Sequence, residues 1–273
     1  LIVYDLKAEK YALKVKESLE ENGIGTVSYP LTAGEKEKTL LSFEKLCATL
    51  YANDFTKTDC VISVGGGMTS DLSGFAASVF KRGLPFYIVP TTLLAAVDSS
   101  FGGKTAIDFG DGKNVIGSFF PAKKVFVDFS VLRSLPEKVF SDGYGEILKY
   151  ALLSEEIFAL VSGKAVIFDV VKACADYKSS VVEKDFYDEG KRRILNLGHT
   201  IAHATESLSG FKTSHGEAVK SGLYFITELS FRHRFMEKGE RDKILSFLTA
   251  YGVTPPKYTA EELASVGVND KKV

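Results

Sequence analysis

The sequence predicts an α/β unit followed by an all-α unit in one chain of 273 residues. Three observations lead there. Up to Asp128, short apolar runs alternate with helix-patterned stretches at the spacing of βαβ units, which implies a parallel sheet. Beyond Asp128 the helical pattern continues without a convincing strand run. The length also lies where a single core tends to split, roughly 250–300 residues. The texture changes at residues 128–135, which divides the chain into 1–130 and 131–273.

Leu1-Ile2-Val3-Tyr4 reads as a buried strand ending at Asp5. Residues 8–21 place Tyr11, Val15 and Leu19 on one helical face between charges, and Asn22-Gly23 stops that helix. A second strand is expected over 24–29 and a second helix over 40–50. Cys60-Val61-Ile62-Ser63-Val64 is a third strand, running into Gly65-Gly66-Gly67. Thr69 or Ser70 is available to cap the helix that follows, to about Val79. Phe86-Tyr87-Ile88-Val89 is a fourth strand stopped by Pro90, and Val125-Phe126-Val127 a fifth. Pro136 opens a long helix to about Leu153, and helical patterns recur over 166–183, 193–207, 218–232 and 241–250.

Composition excludes several classes. Lys and Arg total 34 against 35 Asp and Glu, so a broad nucleic-acid surface or a polybasic membrane surface is not expected. With 45% hydrophobic and 25% charged residues the chain is too apolar for a disordered protein. No run reaches the roughly 18–20 apolar residues of a membrane span. The most apolar stretch, 84–97, is broken by Pro85, Pro90, Thr91 and Thr92. Cys47, Cys60 and Cys174 are odd in number and far apart, which fits buried thiols in a reducing cytoplasm. The chain opens at Leu1 inside an apolar run and stops just after Asp270-Lys271-Lys272, so flanking residues are expected at both ends.

Two clusters carry chemistry. Gly65-Gly66-Gly67-Met68-Thr69-Ser70-Asp71 links a strand to a helix, where glycines let backbone N–H groups approach a phosphate. The dinucleotide fingerprint is only partly met, because Ser70 occupies the third glycine place. A tight βα turn is the plainer reading, and the strand–turn–helix setting favours a pyrophosphate cradle. The second cluster holds three of the four histidines within 17 residues: His199, His203 and His215. His199 and His203 share one helical face, and His215 starts the next helix. Two histidines and a carboxylate make a common divalent-metal set. The carboxylate could be Glu206, Glu217 or one from elsewhere in the chain. The segment reads His-Thr-Ile-Ala-His, so it is not a metalloprotease helix. His233, within Phe231-Arg232-His233-Arg234, reads as solvated.

Cations cluster in apolar or glycine-rich settings. Lys104 follows Gly102-Gly103, while Lys113 and Asn114 lie after Gly110-Asp111-Gly112. Lys149 stands three residues after Glu146 on the same helix face. Arg192 and Asn196 lead into the His199 helix at helical spacing. Singly each is an ordinary surface group. Together they suit an anionic substrate with carboxylate and phosphate groups.

With these residues in view the chain resembles the 3-dehydroquinate synthases. Gly65-Gly66-Gly67-Met68-Thr69-Ser70-Asp71-Leu72-Ser73-Gly74-Phe75-Ala76-Ala77 is similar to a family segment. So are Val89-Pro90-Thr91-Thr92-Leu93-Leu94, Val97-Asp98-Ser99-Ser100-Phe101-Gly102-Gly103-Lys104-Thr105-Ala106, Gly112-Lys113-Asn114-Val115-Ile116-Gly117 and Leu195-Asn196-Leu197-Gly198-His199-Thr200. The blocks run in family order across residues 35–217, with a weaker Asp270-Lys271-Lys272 at the end. The resemblance implies a dehydroquinate synthase-like fold: a Rossmann-like N-terminal domain and a helical C-terminal domain, with the site in the cleft.

The activity implied is a phosphate-eliminating carbon–oxygen lyase of the shikimate pathway, which feeds aromatic amino-acid biosynthesis. Its substrate is 3-deoxy-D-arabino-heptulosonate 7-phosphate and its products are 3-dehydroquinate and phosphate. NAD⁺ oxidises the C5 hydroxyl, the ketone acidifies C6–H, and phosphate leaves by β-elimination. NADH then reduces C5, the ring opens, and an aldol step closes the carbocycle. A divalent metal, zinc or alternatively cobalt, polarises the hydroxyls. The resemblance further implies a soluble cytoplasmic homodimer that contacts neither nucleic acid nor membrane.

Residue by residue, the resemblance assigns Glu146, His199 and His215 to the metal. It assigns Asp98, Lys104, Asn114, Lys149, Lys178, Arg192 and Asn196 to the substrate, with Lys113 between substrate and cofactor. His203 becomes a site residue near the phosphate; Lys104, Asn114, Lys149, Arg192, Asn196 and His203 are the catalytic set. Gly66, Gly67, Asp71, Thr91, Thr92 and Leu94 fall to the cofactor, with Glu35, Lys38, Asp5 and Ser134. Ala202 and Ser134 depart from the family, which often has Gly and Thr there. Two other readings compete: another sugar-phosphate cyclase, and a metal-containing polyol dehydrogenase. The lysine cluster disfavours the second, and Lys113, Lys178, Arg192 and Asn196 favour a carboxylated substrate over the first.

Overall fold

The computed structural model describes residues 1–32, 34–110 and 112–267. Asp111 and the Asp270-Lys271-Lys272 block fall outside the described residues. The chain divides into two compact units, Leu1–Pro136 and Glu137–Val273, so the division lies six residues later than 130. The short helix Phe129–Arg133 belongs with the first unit.

In the first unit, β1 (Ile2–Asp5) leads through a 3-10 turn, Leu6–Ala8, into α1 (Glu9–Glu21) and β2 (Ser28–Leu31). Then follow α2 (Leu40–Ala52), β3 (Val61–Gly65), α3 (Gly67–Val79), β4 (Phe86–Pro90), β5 (Lys104–Phe109), β6 (Gly112–Phe119), β7 (Lys124–Val125) and α4 (Phe129–Arg133). β2, β1, β3, β4 and β7 form a parallel sheet in that order, while β5 and β6 pair as a separate antiparallel hairpin. Val3 lies opposite Tyr29 and Ser63. Alternate residues enter opposite cores: Val3 and Val61 join Leu46, Leu72 and Phe86, whereas Ile2, Tyr4, Ile62 and Val64 pack with Ala8 and Ala12. Both faces are covered, so these strands read as unbroken apolar runs.

Four local expectations change. The second strand begins at Ser28, not residue 24, because the Ile24 N–H bonds Leu19 O (3.0 Å) and Gly23 sits at φ 76. Ile24 therefore completes the C-terminal cap of α1. The fifth strand keeps only two ladder residues, although the Phe126 N–H still reaches Ile88 O. Gly66, and neither Thr69 nor Ser70, caps α3; the Ser70 hydroxyl instead donates to Gly67 O within the helix. The segment read as glycine-rich loops, which holds Lys104, Lys113 and Asn114, is the β5–β6 hairpin. The five glycines at 102, 103, 110, 112 and 117 hide the alternation, yet a Cβ on Gly117 would fall 2.2 Å from Thr105 O, so close pairing needs glycine there.

The second unit contains α5 (Glu137–Leu153), α6 (Glu155–Ser162), α7 (Ile167–Lys184), a 3-10 segment Lys191–Asn196, α8 (His199–Leu208), α9 (His215–Arg232), α10 (Lys238–Ala250) and α11 (Ala260–Gly267). Among the described residues it has no strand. Helices α6 and α11 were not anticipated. The helix expected over 193–207 is two elements, separated at Gly198 with φ 77. Arg192 and Asn196 therefore do not share the His199 helix. Ile147, Leu148, Tyr150, Cys174, Ala202, Val219 and Leu223 are buried in this unit. Cys174 is buried, but Cys47 and Cys60 are only half-buried. Among the described residues, no helix is long and apolar enough to cross a membrane.

Candidate functional site

Glycines on α9 determine where the histidines meet. A Cβ on Gly145 of α5 would fall 2.3 Å from Gly216 O, and one on Gly216 would fall 1.7 Å from Asp142 O. The two helix backbones touch there, and the Gly216 N–H donates to Asp142 Oδ1 at 2.8 Å. One turn and a half along α9, a Cβ on Gly222 would fall 2.1 Å from Gly198 O. Each contact sits beside a candidate site residue: Gly145 precedes Glu146, Gly216 follows His215, and Gly198 precedes His199. Only glycine permits backbones this close.

The result is a convergence of Glu146, His199 and His215, whose ligating atoms lie within 4.8 Å of one another. His215 Nε2 is 3.0 Å and His199 Nε2 3.3 Å from the same carboxylate oxygen, Glu146 Oε1. The other oxygen, Oε2, is 2.5 Å from Lys149 Nζ, which also lies over the Tyr150 ring. Glu146 and Lys149 are each 1% exposed. Burial would push the Glu146 carboxyl up, but Lys149 and the imidazoles outweigh it and hold it well below the usual range. His215 would be pushed down by burial; its bonds to Glu146 and Glu206 instead raise it to about 10. His199 Nδ1 lies 3.2 Å from Leu197 O, and His215 Nδ1 lies 3.3 Å from Glu206 Oε1. Two imidazole nitrogens and one carboxylate oxygen suit zinc or a similar cation. His203 meets the His199 ring edge-on (centroids 5.8 Å apart) and is not in the ligand group among the described residues. Glu217, another candidate carboxylate, pairs with Lys220 at 2.6 Å.

Lys178 on α7 and Arg192 are buried, at 7% and 3% exposed. Arg192 Nη1 donates to Phe186 O at 2.5 Å. Its turn is organised by Asp185, which sequence reasoning missed. The Asp185 carboxylate accepts from the backbone N–H of Glu189 (3.0 Å), Gly190 (2.7 Å) and Arg192 (2.9 Å). No short motif marks it, since the N–H groups it holds lie four to seven residues on, beyond the two-residue reach of an ordinary Asx turn. These bonds, led by that from Arg192, lower the Asp185 pKa. The turn is thus held above the ordinary aspartate range and released as pH falls through the lowered value. Asp185→Ala is expected to speed amide hydrogen exchange at Glu189, Gly190 and Arg192 at neutral pH. Unchanged protection at those amides would remove Asp185 from this role.

In the first unit the structure groups Lys38, Asp71 and Asn114. Lys38 Nζ donates to Asp71 Oδ2 at 2.6 Å and to Asn114 Oδ1, with Glu35 at 3.7 Å. Burial would lower the Lys38 pKa; Asp71 and Glu35 outweigh it and raise it. The Asn114 N–H is held by Asp108 Oδ1 (2.7 Å) at a positive φ of 54. Lys104 and Lys113 are exposed on the hairpin. At the glycine turn, no side chain caps the N-terminus of α3, which leaves its first N–H groups available to an anion. A Cβ on Gly67 would fall 2.9 Å from Ser99 Oγ, and one on Gly66 3.2 Å from Thr92 Cγ2. The buried hydroxyls of Thr69, Ser99 and Ser100 lack a protein partner, so the turn is a polar cradle. Thr91 N–H bonds Gly65 O, and Thr92 Oγ1 accepts from Ala95 N–H just after Leu94. Asp98 lies in the π-helical turn Ala95–Ser99. Asp5 caps the turn after β1, and Ser134 Oγ meets Tyr11.

A parallel α/β unit with an open glycine turn, followed by a helical unit in which a glutamate and two histidines converge, is the architecture of the sugar-phosphate cyclase class of fold. A solved 2-deoxy-scyllo-inosose synthase, in complex with carbaglucose-6-phosphate, NAD⁺ and Co²⁺, superposes with a TM-score of 0.86 at 26% identity, covering 100% of this chain and 78% of that one. Within that class the chain belongs to the 3-dehydroquinate synthase family. Residues 28–142 match its description "3-dehydroquinate synthase N-terminal" and residues 143–273 "3-dehydroquinate synthase C-terminal". The 3-dehydroquinate synthase of Clostridium kluyveri is 40% identical over 284 aligned residues, covering 100% of this chain and 79% of that protein. That of Clostridium botulinum is 42% identical over 252, covering 89% and 72%.

Proposed function

We propose that this chain converts 3-deoxy-D-arabino-heptulosonate 7-phosphate to 3-dehydroquinate and phosphate, with NAD⁺ and a divalent cation. The observation that carries the reading is the convergence of Glu146, His199 and His215 beside Lys149 in a chain that matches both halves of the family. Glu146, His199 and His215 would hold the cation, while Gly66, Gly67 and the uncapped start of α3 would take the dinucleotide pyrophosphate. When bound, these groups supply a hydride acceptor that is restored within each turnover and Lewis acidity at the substrate hydroxyls.

The chain's own residues bind and orient. In the helical unit, Lys178 and Arg192 offer buried positive charge to the substrate's anionic groups, and Asn196, from the same 3-10 segment as Arg192, would add a hydrogen-bonding amide. Lys149 keeps the Glu146 carboxylate charged and aimed, so the ligand oxygen is ready without a proton to lose. In the α/β unit, Lys104 would bind the leaving phosphate and Lys113 would lie between substrate and cofactor, while Lys38 holds Asn114 and Asp71 in place. Assembly as a homodimer belongs to the same reading.

The test is phosphate release from the heptulosonate phosphate at limiting NAD⁺. Product many times the NAD⁺ supplied is expected, because oxidation and reduction occur at one carbon. NADH accumulating in step with product would replace the reading with a polyol dehydrogenase. Turnover only of a sugar phosphate lacking the carboxylate would make the chain a different cyclase.

A further inference from the structure

We infer that Glu206 is the positioning residue of the cation site, holding the His215 ring by Nδ1 so that Nε2 faces Glu146. The inference rests on reading Glu146, His199 and His215 as cation ligands. His215 has different partners on its two nitrogens: Nδ1 is 3.3 Å from Glu206 Oε1, and Nε2 is 3.0 Å from Glu146 Oε1. A ring held this way directs its Nδ1–H at Glu206 and turns Nε2 toward Glu146, where a cation would take the lone pair in exchange for the Nε2 proton. Glu206 is 6% exposed, and a buried carboxylate is costly without donors, so its placement against His215 is not a surface accident. It is not one of the three residues whose ligating atoms converge.

The other histidine shows what this adds. His199 Nδ1 lies 3.2 Å from Leu197 O, a backbone acceptor supplied by the turn that precedes α8. His215 is the first residue of α9, and its Nδ1 acceptor is a side chain from α8, two turns beyond His199. Glu206 thus ties the start of α9 to the helix that carries the other histidine. Its negative charge also makes the His215 ring a stronger donor to a cation than a carbonyl would. The spacing His199, His203, Glu206 suggests a ligand carboxylate, but in the structure Glu206 meets the far nitrogen of His215 and not the converging ligand atoms.

The test compares zinc and cobalt(II) affinity of the parent, E206A and E206Q by competition with a chelator, with the visible spectrum of the cobalt(II) forms as a second readout. E206A is expected to bind about 10–100-fold more weakly, the usual cost of losing an outer partner. E206Q keeps the volume and an acceptor oxygen, so it should fold and should fall between E206A and the parent. The cobalt(II) bands should shift in E206A. Parental affinity and spectrum in both variants would overturn the inference, as would E206Q binding no better than E206A. A parent that takes up neither cation would instead overturn the reading of the ligand site itself.

Discussion

His215→Ala is expected to abolish turnover and to empty the cation site while the helices stay folded. One of three ligands is lost, so the fall in cation affinity should exceed the about 100-fold that marks the upper end for an outer partner. The fold should tolerate it for a local reason. α9 spans His215–Arg232 and is anchored by buried Ala218, Val219, Leu223 and Thr227, none of which depends on the first residue. Glu146 loses one neighbour but keeps Lys149 at 2.5 Å and His199 at 3.3 Å, so its buried charge stays paired. Glu146→Ala is the harsher change, since it removes the carboxylate 2.5 Å from Lys149, 1% exposed, and breaking a buried pair costs about 3–5 kcal/mol. Metal content, circular dichroism and phosphate release on purified His215→Ala protein check the expectation. A metal-loaded variant with parental activity would show that the three residues are not the ligands.

Gly216→Ala should destabilise the second unit and dismantle the site together. The new Cβ would lie 1.7 Å from Asp142 O, a backbone atom that no side-chain rotation can move away. Overpacking costs typically 1–3 kcal/mol and more where backbone must shift, so about 3 kcal/mol is the lower expectation. At roughly 2–4 °C per kcal/mol the unfolding midpoint should fall by roughly 6–12 °C. Pushing α9 from α5 also separates His215 from Glu146, so cation affinity should drop with stability. Gly239→Ala in α10 is the control, because nothing lies within 4 Å of its Cβ. It should leave the midpoint unchanged or slightly higher, alanine being the better helix former. Equal midpoints for the two variants would mean that the glycine contact does not hold the helices together.

Much of this is legible in the residues and some of it is not. The alternation that predicts a parallel sheet comes through because both sheet faces are buried, so each strand is an apolar run. The hairpin at Lys104–Phe109 and Gly112–Phe119 is hidden because its glycines replace the side chains that would show a period. Reading residues 193–207 as one helix fails at Gly198, whose positive φ breaks the run and whose backbone packs against Gly222, 24 residues away. Glu206 is visible as a carboxylate near two histidines, but spacing alone cannot separate a ligand from a residue that holds a ligand.

By itself the sequence determined the class of fold, the glycine turn between β3 and α3, the histidine cluster and the family resemblance. All of these are properties of contiguous residues: burial period, backbone freedom and short motifs. The resemblance had already grouped Glu146 with the histidines 53 and 69 residues further along the chain; tertiary structure alone decided that both rings share one oxygen of that carboxylate, that Lys149 takes the other, and that Asp185 ties down the turn before Arg192. Close approach of backbones at Gly145–Gly216 and Gly198–Gly222 sets those distances. It depends on two distant segments at once, and no local pattern in either one encodes its partner.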